Sequence, residues 1–307
     1  MNTILCDDSW MGHCAKYQLH SGGKRFRALL ALMAADIFKI NHESAIYAAI
    51  CCEFIHNASL IHDDLQDRDL LRRGLPTIWN RFGDHTAINL GDYFISGSFE
   101  SLVKINVNAD YKCKAIEELT RIIKQTVKGQ SIEILGRSDI DLKMNDYEST
   151  SRAKTGGLIC LPVKLILSLK GSQNYKSDYF KPLYETGLAY QIQDDLSDFL
   201  GIKDRGLPGR DLKEGKMNIL IMHFIENATQ GEKFVLQKFL KKRYDSISEE
   251  EITFWLDEMR AKGVLDLSLS HLKKVSERAI NISSKTDHKL FQIVSFVISS
   301  IIKRITR

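Results

Sequence analysis

Proline is scarce in this chain. It occurs four times in 307 residues, at 76, 162, 182 and 208. An interior proline kinks or breaks a helix, so this scarcity leaves room for long helices. Pro162 alone falls inside an otherwise helical run, where a kink is expected. Strand-type alternation of useful length is also missing, which excludes a β-sandwich or a doubly wound sheet. The six cysteines, at 6, 14, 51, 52, 113 and 160, form no CxxC pair, and no histidine stands at zinc-finger spacing. Cys51, Cys52 and Cys160 lie in apolar helical stretches. They read as buried free thiols of a reducing, cytoplasmic protein. Net charge is only +4, so nothing calls for nucleic acid as a partner. The N-terminus has neither a basic start nor a long apolar run, and no secretory signal is expected. The apolar run 290–302 is too short to span a bilayer. It reads as a core or interface helix, with a membrane-surface contact helped by Lys303, Arg304 and Arg307 as the lesser alternative.

What the chain does have is helical periodicity. Apolar residues recur at 3.6-type spacing through 25–39, 43–65, 86–105, 112–135, 146–170, 179–200, 216–228, 232–243, 249–260, 264–284 and 287–304. The composition, 44% hydrophobic and 27% charged, suffices for a large core. No linker or low-complexity tract divides the chain. The expectation is one all-α domain over 1–307, with a weakly patterned lead at 1–20 that carries a helix from Trp10 to Leu19.

Two acidic clusters stand out. Asp63, Asp64 and Asp67 close one apolar helical run, and Asp194, Asp195 and Asp198 close another. In a helix the first and last members of each cluster lie one turn apart on one face. Crowded carboxylates repel, and a divalent ion relieves that repulsion. Magnesium suits carboxylate oxygens and completes its shell with water and substrate phosphate. One DDxxD could equally be a solvated helix end. Two copies, 131 residues apart, point to metal-bridged diphosphate held across a cavity.

Basic residues supply the rest. Lys24 and Arg27 follow Gly22-Gly23 at a helix start, where cations are unfavourable unless they meet an anion. No strand pattern precedes these glycines and no GxGxxG follows, which argues against a nucleotide loop. Arg72 and Arg73 enter a turn after the first cluster, either as a diphosphate grip or as a surface pair. Gly91 and Gly129 sit in helical patterns and read as close-packing points. Lys154-Thr155-Gly156-Gly157 looks like a helix break that delivers a cation inward. The segment 201–216 is rich in glycine and charge and reads as a lid.

Taken in order, GGKRFR at 22–27, HNASLIHDDLQD with Arg72-Arg73 at 56–73, KTGG at 154–157, YQIQDDLSD at 190–198 and GRDLKEGK at 209–216 resemble the trans-isoprenyl diphosphate synthases. The likeness runs from about Tyr17 to Glu226. It implies an all-α helical bundle around a deep cavity, usually as a homodimer, and the head-to-tail joining of an allylic diphosphate to isopentenyl diphosphate. By matching positions, Asp63, Asp64, Asp67 and Asp194 would hold three magnesium ions, with Asp195 and Asp198 completing the second motif. Arg72, Lys154, Gln191 and Lys216 would contact the allylic diphosphate, with Thr155 near the nascent cation. Lys24, Arg27, His56 and Arg73 would bind isopentenyl diphosphate.

Ala58 and Ser59, five and four residues before Asp63, are small where short-product members often carry an aromatic. A product of C20 or longer is therefore expected, with Phe54, Ile55 or a neighbouring helix closing the tunnel lower down. The short lead before Gly22 suggests a reduced N-terminal helix. Arg210, Met217-Asn218 and Glu133 depart from the commoner residues without removing a metal ligand. Two rival readings remain: a class I terpene cyclase, which needs no Lys24, Arg27 and His56 set, and a non-catalytic subunit of a heteromeric synthase.

Overall fold

The structure is a computed structural model that describes residues 7–171, 175–202 and 208–305. Its elements are helices apart from one two-stranded hairpin, so the all-α expectation holds. The chain divides into two compact units, residues 1–124 with 158–176 and residues 125–157 with 177–307.

The first unit is built around one long helix. Helix α1 (Trp10–His20) starts at Ser9, whose hydroxyl accepts the Gly12 N–H. Helix α2 (Phe26–Phe38) follows. Helix α3 (His42–Asp67) is capped by Asn41, which accepts the Ser44 N–H at 2.8 Å. It ends at Arg68, a left-handed residue. Next come strands β1 (Leu71–Arg72) and β2 (Leu75–Pro76), then helices α4 (Ile78–Phe82) and α5 (Asp84–Val103). Helix α6 (Ala109–Leu135) contributes its part before 125, and helix α8 (Gly157–Leu169) its part from 158.

Helix α3 packs against both α2 and α5. Its buried Ala45, Ala48, Ala49, Cys51 and Cys52 are small enough for close approach. Lower down, Phe54, Ala58 and Ile61 join Leu90 and Phe94 of α5, Ile78 of α4, and Cys14 and Leu19 of α1 in one apolar cluster. Phe54 and Phe94 meet edge to face at 5.5 Å. Among the described residues α3 is the one helix long and apolar enough to cross a membrane, yet 67% of that stretch is buried in the protein. It therefore reads as a core helix.

The second unit holds the rest of α6, helix α7 (Met144–Ser151) and a π-helical turn (Arg152–Gly156) that leads into α8. The expected break at Lys154–Gly157 is therefore a widened helical turn, not an interruption. A short 3₁₀ turn (Ser177–Phe180) opens helix α9 (Lys181–Phe199), with Pro182 in its first turn where no N–H is missed. Helices α10 (Arg210–Lys213), α11 (Ile219–Asn227), α12 (Gln230–Leu240), α13 (Glu249–Ala261), α14 (Val264–Thr286) and α15 (His288–Ile305) complete it. Helix α9 packs against α14, α15 and the π turn. Gly187 of α9 lies against the backbone of Gly156, with no room for a Cβ between them. Pro162 lies inside α8. The segment read as a lid includes 203–207, which lie outside the described residues.

Candidate functional site

In the first unit, positive charge converges on α2 and α3. Gly22 and Gly23 take φ values of +89° and +117°, and Arg25 is left-handed at +48°. This irregular backbone is fixed from α3. Buried Glu53 accepts the Ala28 N–H at 3.0 Å, and its other oxygen lies 3.7 Å from Arg25. Arg25 also donates to the Leu19 carbonyl. Glu53 is itself steadied by Asn57, whose amide donates to the Glu53 carbonyl and accepts from Gln18.

Arg27 emerges buried, and its Nε has no hydrogen-bond partner among the described residues. The same is true of His56 Nδ1 on α3. Burial first, and then Arg27, Arg72, Arg73 and Arg25, hold the His56 imidazole well below its ordinary range and keep it neutral. A buried guanidinium N–H and a buried imidazole nitrogen, both without a hydrogen-bond partner and set among several arginines, have the character of an anion site. Leaving such groups unpaired costs about 1–3 kcal/mol each. Lys24 is exposed beside them.

The segment after α3 is a tight hairpin, where only a turn was expected. Leu71 pairs with Pro76 and Arg72 with Leu75, so Arg73 and Gly74 form a two-residue loop. Both have positive φ, 55° and 76°, as a type I′ turn requires. Arg73 donates to the Gly22 carbonyl, and its guanidinium lies over Gly23. Arg72 points the other way. It is buried, and its Nε donates to both oxygens of Asp64 at 2.7 and 2.8 Å. Asp64 is thus inward and ion-paired, while Asp63 and Asp67 are half-buried one turn apart. Arg72 orients Asp64. Ala58 packs into the apolar cluster, and the Ser59 hydroxyl donates to the His56 carbonyl at 2.8 Å. Gly91 lies against His62 and Gly129 against Lys154, in keeping with close packing.

In the second unit the π turn meets α9. Thr155 Oγ1 donates to Gln191 Oε1 at 2.7 Å, and Gln191 Nε2 donates to Asp195 Oδ1 at 2.9 Å. Asp195 Oδ2 accepts the Tyr147 hydroxyl at 2.6 Å and the Ile219 N–H at 3.1 Å. Burial, and then the Asp195 carboxylate, push the Tyr147 phenol far above its usual range. Asp198 accepts the Asp211 N–H at 3.1 Å, and Asp194 is half-buried one turn before it. Lys154 meets Glu133 at 3.0 Å, and Lys216 meets Glu214 at 2.7 Å. Glu133 is therefore the carboxylate that holds Lys154. Arg210 pairs with Glu214 at 2.7 Å, and Asn218 caps α11 through the Ile221 N–H.

The family model described as polyprenyl synthetase matches residues 8–257. The chain belongs to the polyprenyl synthetase family. Among similar proteins is a geranylgeranyl diphosphate synthase of Sulfolobus acidocaldarius, 32% identical over 89% of this chain and 85% of that protein. Another is heptaprenyl diphosphate synthase component 2 of Bacillus subtilis, 27% identical over 87% of this chain and 75% of that one. Among solved structures, the geranylgeranyl pyrophosphate synthetase of Geoglobus acetivorans superposes with a TM-score of 0.81. It is 26% identical, over 99% of this chain and 95% of that one.

Within this polyprenyl synthetase, each unit brings together part of the set put forward from the sequence. The first gathers Arg27, His56, Arg72, Arg73 and the first aspartate motif. The second gathers Thr155, Gln191 and the second motif, with Lys154 and Lys216 each on a glutamate. Two residues were missed. Tyr147 is separated from Asp195 by 48 positions, and nothing local marks it. Glu53 gave a signal, a lone acid in the apolar run Ala48–Ile55.

The donor chemistry fits magnesium. The acidic groups of the two aspartate motifs are hard oxygen donors of the kind magnesium takes. Magnesium is bound in that way, through one or two carboxylates, several waters and substrate phosphates.

Proposed function

We propose that this polyprenyl synthetase condenses an allylic diphosphate with isopentenyl diphosphate, head to tail, in a magnesium-dependent reaction, and that its product is C20 or longer. The observation that carries this reading is the pair of buried nitrogens without a hydrogen-bond partner, Arg27 Nε and His56 Nδ1, among arginines. A second diphosphate explains them. A terpene cyclase, which binds one diphosphate, has no use for them. A non-catalytic subunit has no need of two complete aspartate motifs.

Magnesium, three ions by family resemblance, would be held by Asp63, Asp64, Asp67 and Asp194, with Asp195 and Asp198 supporting, and would neutralise charge growing on the leaving diphosphate. The chain's own groups do the rest. Arg72 holds Asp64 in one orientation, and Tyr147 with the Ile219 N–H does the same for Asp195. Lys154 and Lys216, held near by Glu133 and Glu214, add positive charge toward the allylic diphosphate. Thr155, fixed on Gln191, presents an oxygen to the developing allylic cation. Arg27, His56, Arg73 and Lys24 hold isopentenyl diphosphate. The departing diphosphate takes the final proton.

The small side chains of Ala58 and Ser59, together with relatives named for geranylgeranyl and heptaprenyl products, support the longer product. Free cysteines, with Cys14, Cys51, Cys52 and Cys160 buried, support a reducing cytoplasmic setting. A homodimer is the proposed assembly. The relative named as component 2 of a heptaprenyl synthase makes a two-component complex the alternative, and light scattering of the purified chain separates the two.

A product assay tests the function. Protein receives magnesium, labelled isopentenyl diphosphate and each of dimethylallyl, geranyl and farnesyl diphosphate, and the dephosphorylated products are sized. A ladder ending at C20 or beyond supports the proposal. A stop at C15 overturns the chain-length reading. Diphosphate release from an allylic substrate alone favours the cyclase, and no release at all favours the non-catalytic subunit.

A further inference from the structure

The π turn Arg152–Gly156 is held at each of its five residues. Arg152 Nε donates to Glu185 Oε1 at 3.0 Å. Its Nη2 donates to Glu148 Oε2 at 2.6 Å and to Glu185 Oε2 at 3.2 Å. The Ala153 carbonyl accepts from Gln125 Nε2 at 3.3 Å. Lys154 is on Glu133, Thr155 is on Gln191, and Gly156 lies against Gly187. Neither Arg152 nor Gln125 belongs to an aspartate motif or to the residues assigned to the two diphosphates.

The turn is wide because the Gly157 N–H reaches back five residues, to the Arg152 carbonyl, where an α-helix reaches back four. Side chains inside it spread over a different arc from the 100° steps of an α-helix. Lys154 and Thr155 keep their directions only while the turn stays wide. Such turns are rare, occur singly within α-helices and are frequent at functional sites. Tertiary contacts must hold this one open.

The strongest of those contacts is ionic. Glu148 stands on α7, one turn before Arg152, and buried Glu185 stands on α9. Arg278 of α14 backs both carboxylates, 2.6 Å from Glu185 and 3.8 Å from Glu148. His271 of α14 takes Glu148 Oε1 at 2.9 Å, which leaves Oε2 to Arg152. A buried ion cluster is a poor source of stability, and fixing one arrangement is its better-attested use. The second contact is neutral. The Tyr184 hydroxyl of α9 donates to Gln125 Oε1 at 3.3 Å, so the Gln125 amide joins α9 to the Ala153 carbonyl.

We propose that Arg152, seconded by Gln125, is a positioning residue for prenyl transfer, a role that rests on the substrate contacts proposed above for Lys154 and Thr155. Clamped between Glu148 and Glu185, Arg152 keeps the π turn wide. The wide turn sets the Lys154 ammonium and the Thr155 hydroxyl against the allylic diphosphate.

The test compares wild type with Arg152→Met, which removes both ion pairs, and with Arg152→Lys. In Arg152→Met, kcat should fall by roughly tenfold to a hundredfold, the scale expected of a misplacement of about 1 Å. KM for isopentenyl diphosphate, whose proposed ligands lie in the first unit, should change much less. Arg152→Lys reaches one carboxylate but cannot fork across two, so it should recover part of the rate. Amide hydrogen exchange in the peptide 152–158 should quicken in Arg152→Met. Circular dichroism verifies folding, and Gln125→Leu takes the place of Arg152→Met if the latter does not fold. A folded variant with lowered Tm but unchanged kcat overturns the proposal and leaves the clamp a packing device. A fall in kcat with unchanged exchange at 152–158, or an equal change in KM for both substrates, overturns it as well. Wild type that transfers no prenyl group refutes the proposed function and the positioning role with it, and the exchange data then still tell whether Arg152 holds the turn.

Discussion

Arg73 rests on Gly23. Its guanidinium donates to the Gly22 carbonyl and fills the space a side chain at position 23 would need. Gly23 also sits at φ +117°, which L side chains rarely adopt. Two separate demands therefore fall on one glycine. Gly23→Ala should move Arg73 and the Lys24 backbone together. A backbone penalty of about 1–2 kcal/mol corresponds to a rise of roughly five- to thirtyfold in KM for isopentenyl diphosphate. KM for the allylic substrate should change much less. Steady-state kinetics with each substrate varied in turn checks this, and equal changes in both would count against the assignment of Arg73.

Asp63 and Asp64 are adjacent but differ in kind. Asp63 is half-buried, whereas Asp64 is buried against Arg72. Asp63→Ala should abolish prenyl transfer and leave denaturant unfolding close to wild type. Asp64→Ala should abolish transfer and also destabilise the protein by about 3–5 kcal/mol, because it strands the Arg72 charge. Urea melts of the two variants, read beside activity, separate the effects. Full activity in Asp63→Ala would sink the metal assignment.

Tyr147 touches no proposed substrate group, yet it fixes Asp195. Tyr147→Phe removes the 2.6 Å hydrogen bond and keeps the ring. The magnesium concentration for half-maximal rate should rise by roughly tenfold, the usual cost of losing an outer-shell partner. A magnesium titration of the rate measures it. A fall in rate with no change in magnesium dependence would place Tyr147 in a purely structural role.

Glu148 has its pKa lowered to about 2, first through the hydrogen bond from His271 and then, against the cost of burial, through Arg152. For a carboxylate whose folded pKa is depressed, the stabilisation is complete above the unfolded value near 4.5 and is lost as pH falls through the folded one. The window is thus pH 4.5 down to 2. Acid unfolding of Glu148→Gln should differ most from wild type above pH 4.5, and the two curves should converge near pH 2.

The helices were legible because their apolar spacing is a local property. The run 43–65 became His42–Asp67, and 287–304 became His288–Ile305. The weak lead still formed Trp10–His20, because Ser9 supplies a cap and Cys14, Ala15 and Leu19 are buried. The aspartate motifs were legible because their spacing repeats. What stayed hidden was which neighbour each charge would choose. Arg72 and Arg73 look alike in sequence, yet the hairpin between them and Pro76 sends one to Asp64 and the other to Gly22. A π turn has the same composition as a helix break until its hydrogen bonds are drawn. The Tyr147–Asp195 and His223–His271 pairs join residues 48 positions apart, beyond any window in which periodicity speaks.

Helix α3 carries His56 and Asp63 seven residues apart within one uninterrupted span. At 1.5 Å per residue that is about 10.5 Å, two turns along nearly the same face. Under the proposed function the helix would act as a rigid ruler between the residue proposed to anchor isopentenyl diphosphate and the residue proposed to hold magnesium. Loop changes elsewhere cannot alter that interval. Adding a single residue between them would swing one end through about 100° and uncouple two half-sites that each remain chemically intact.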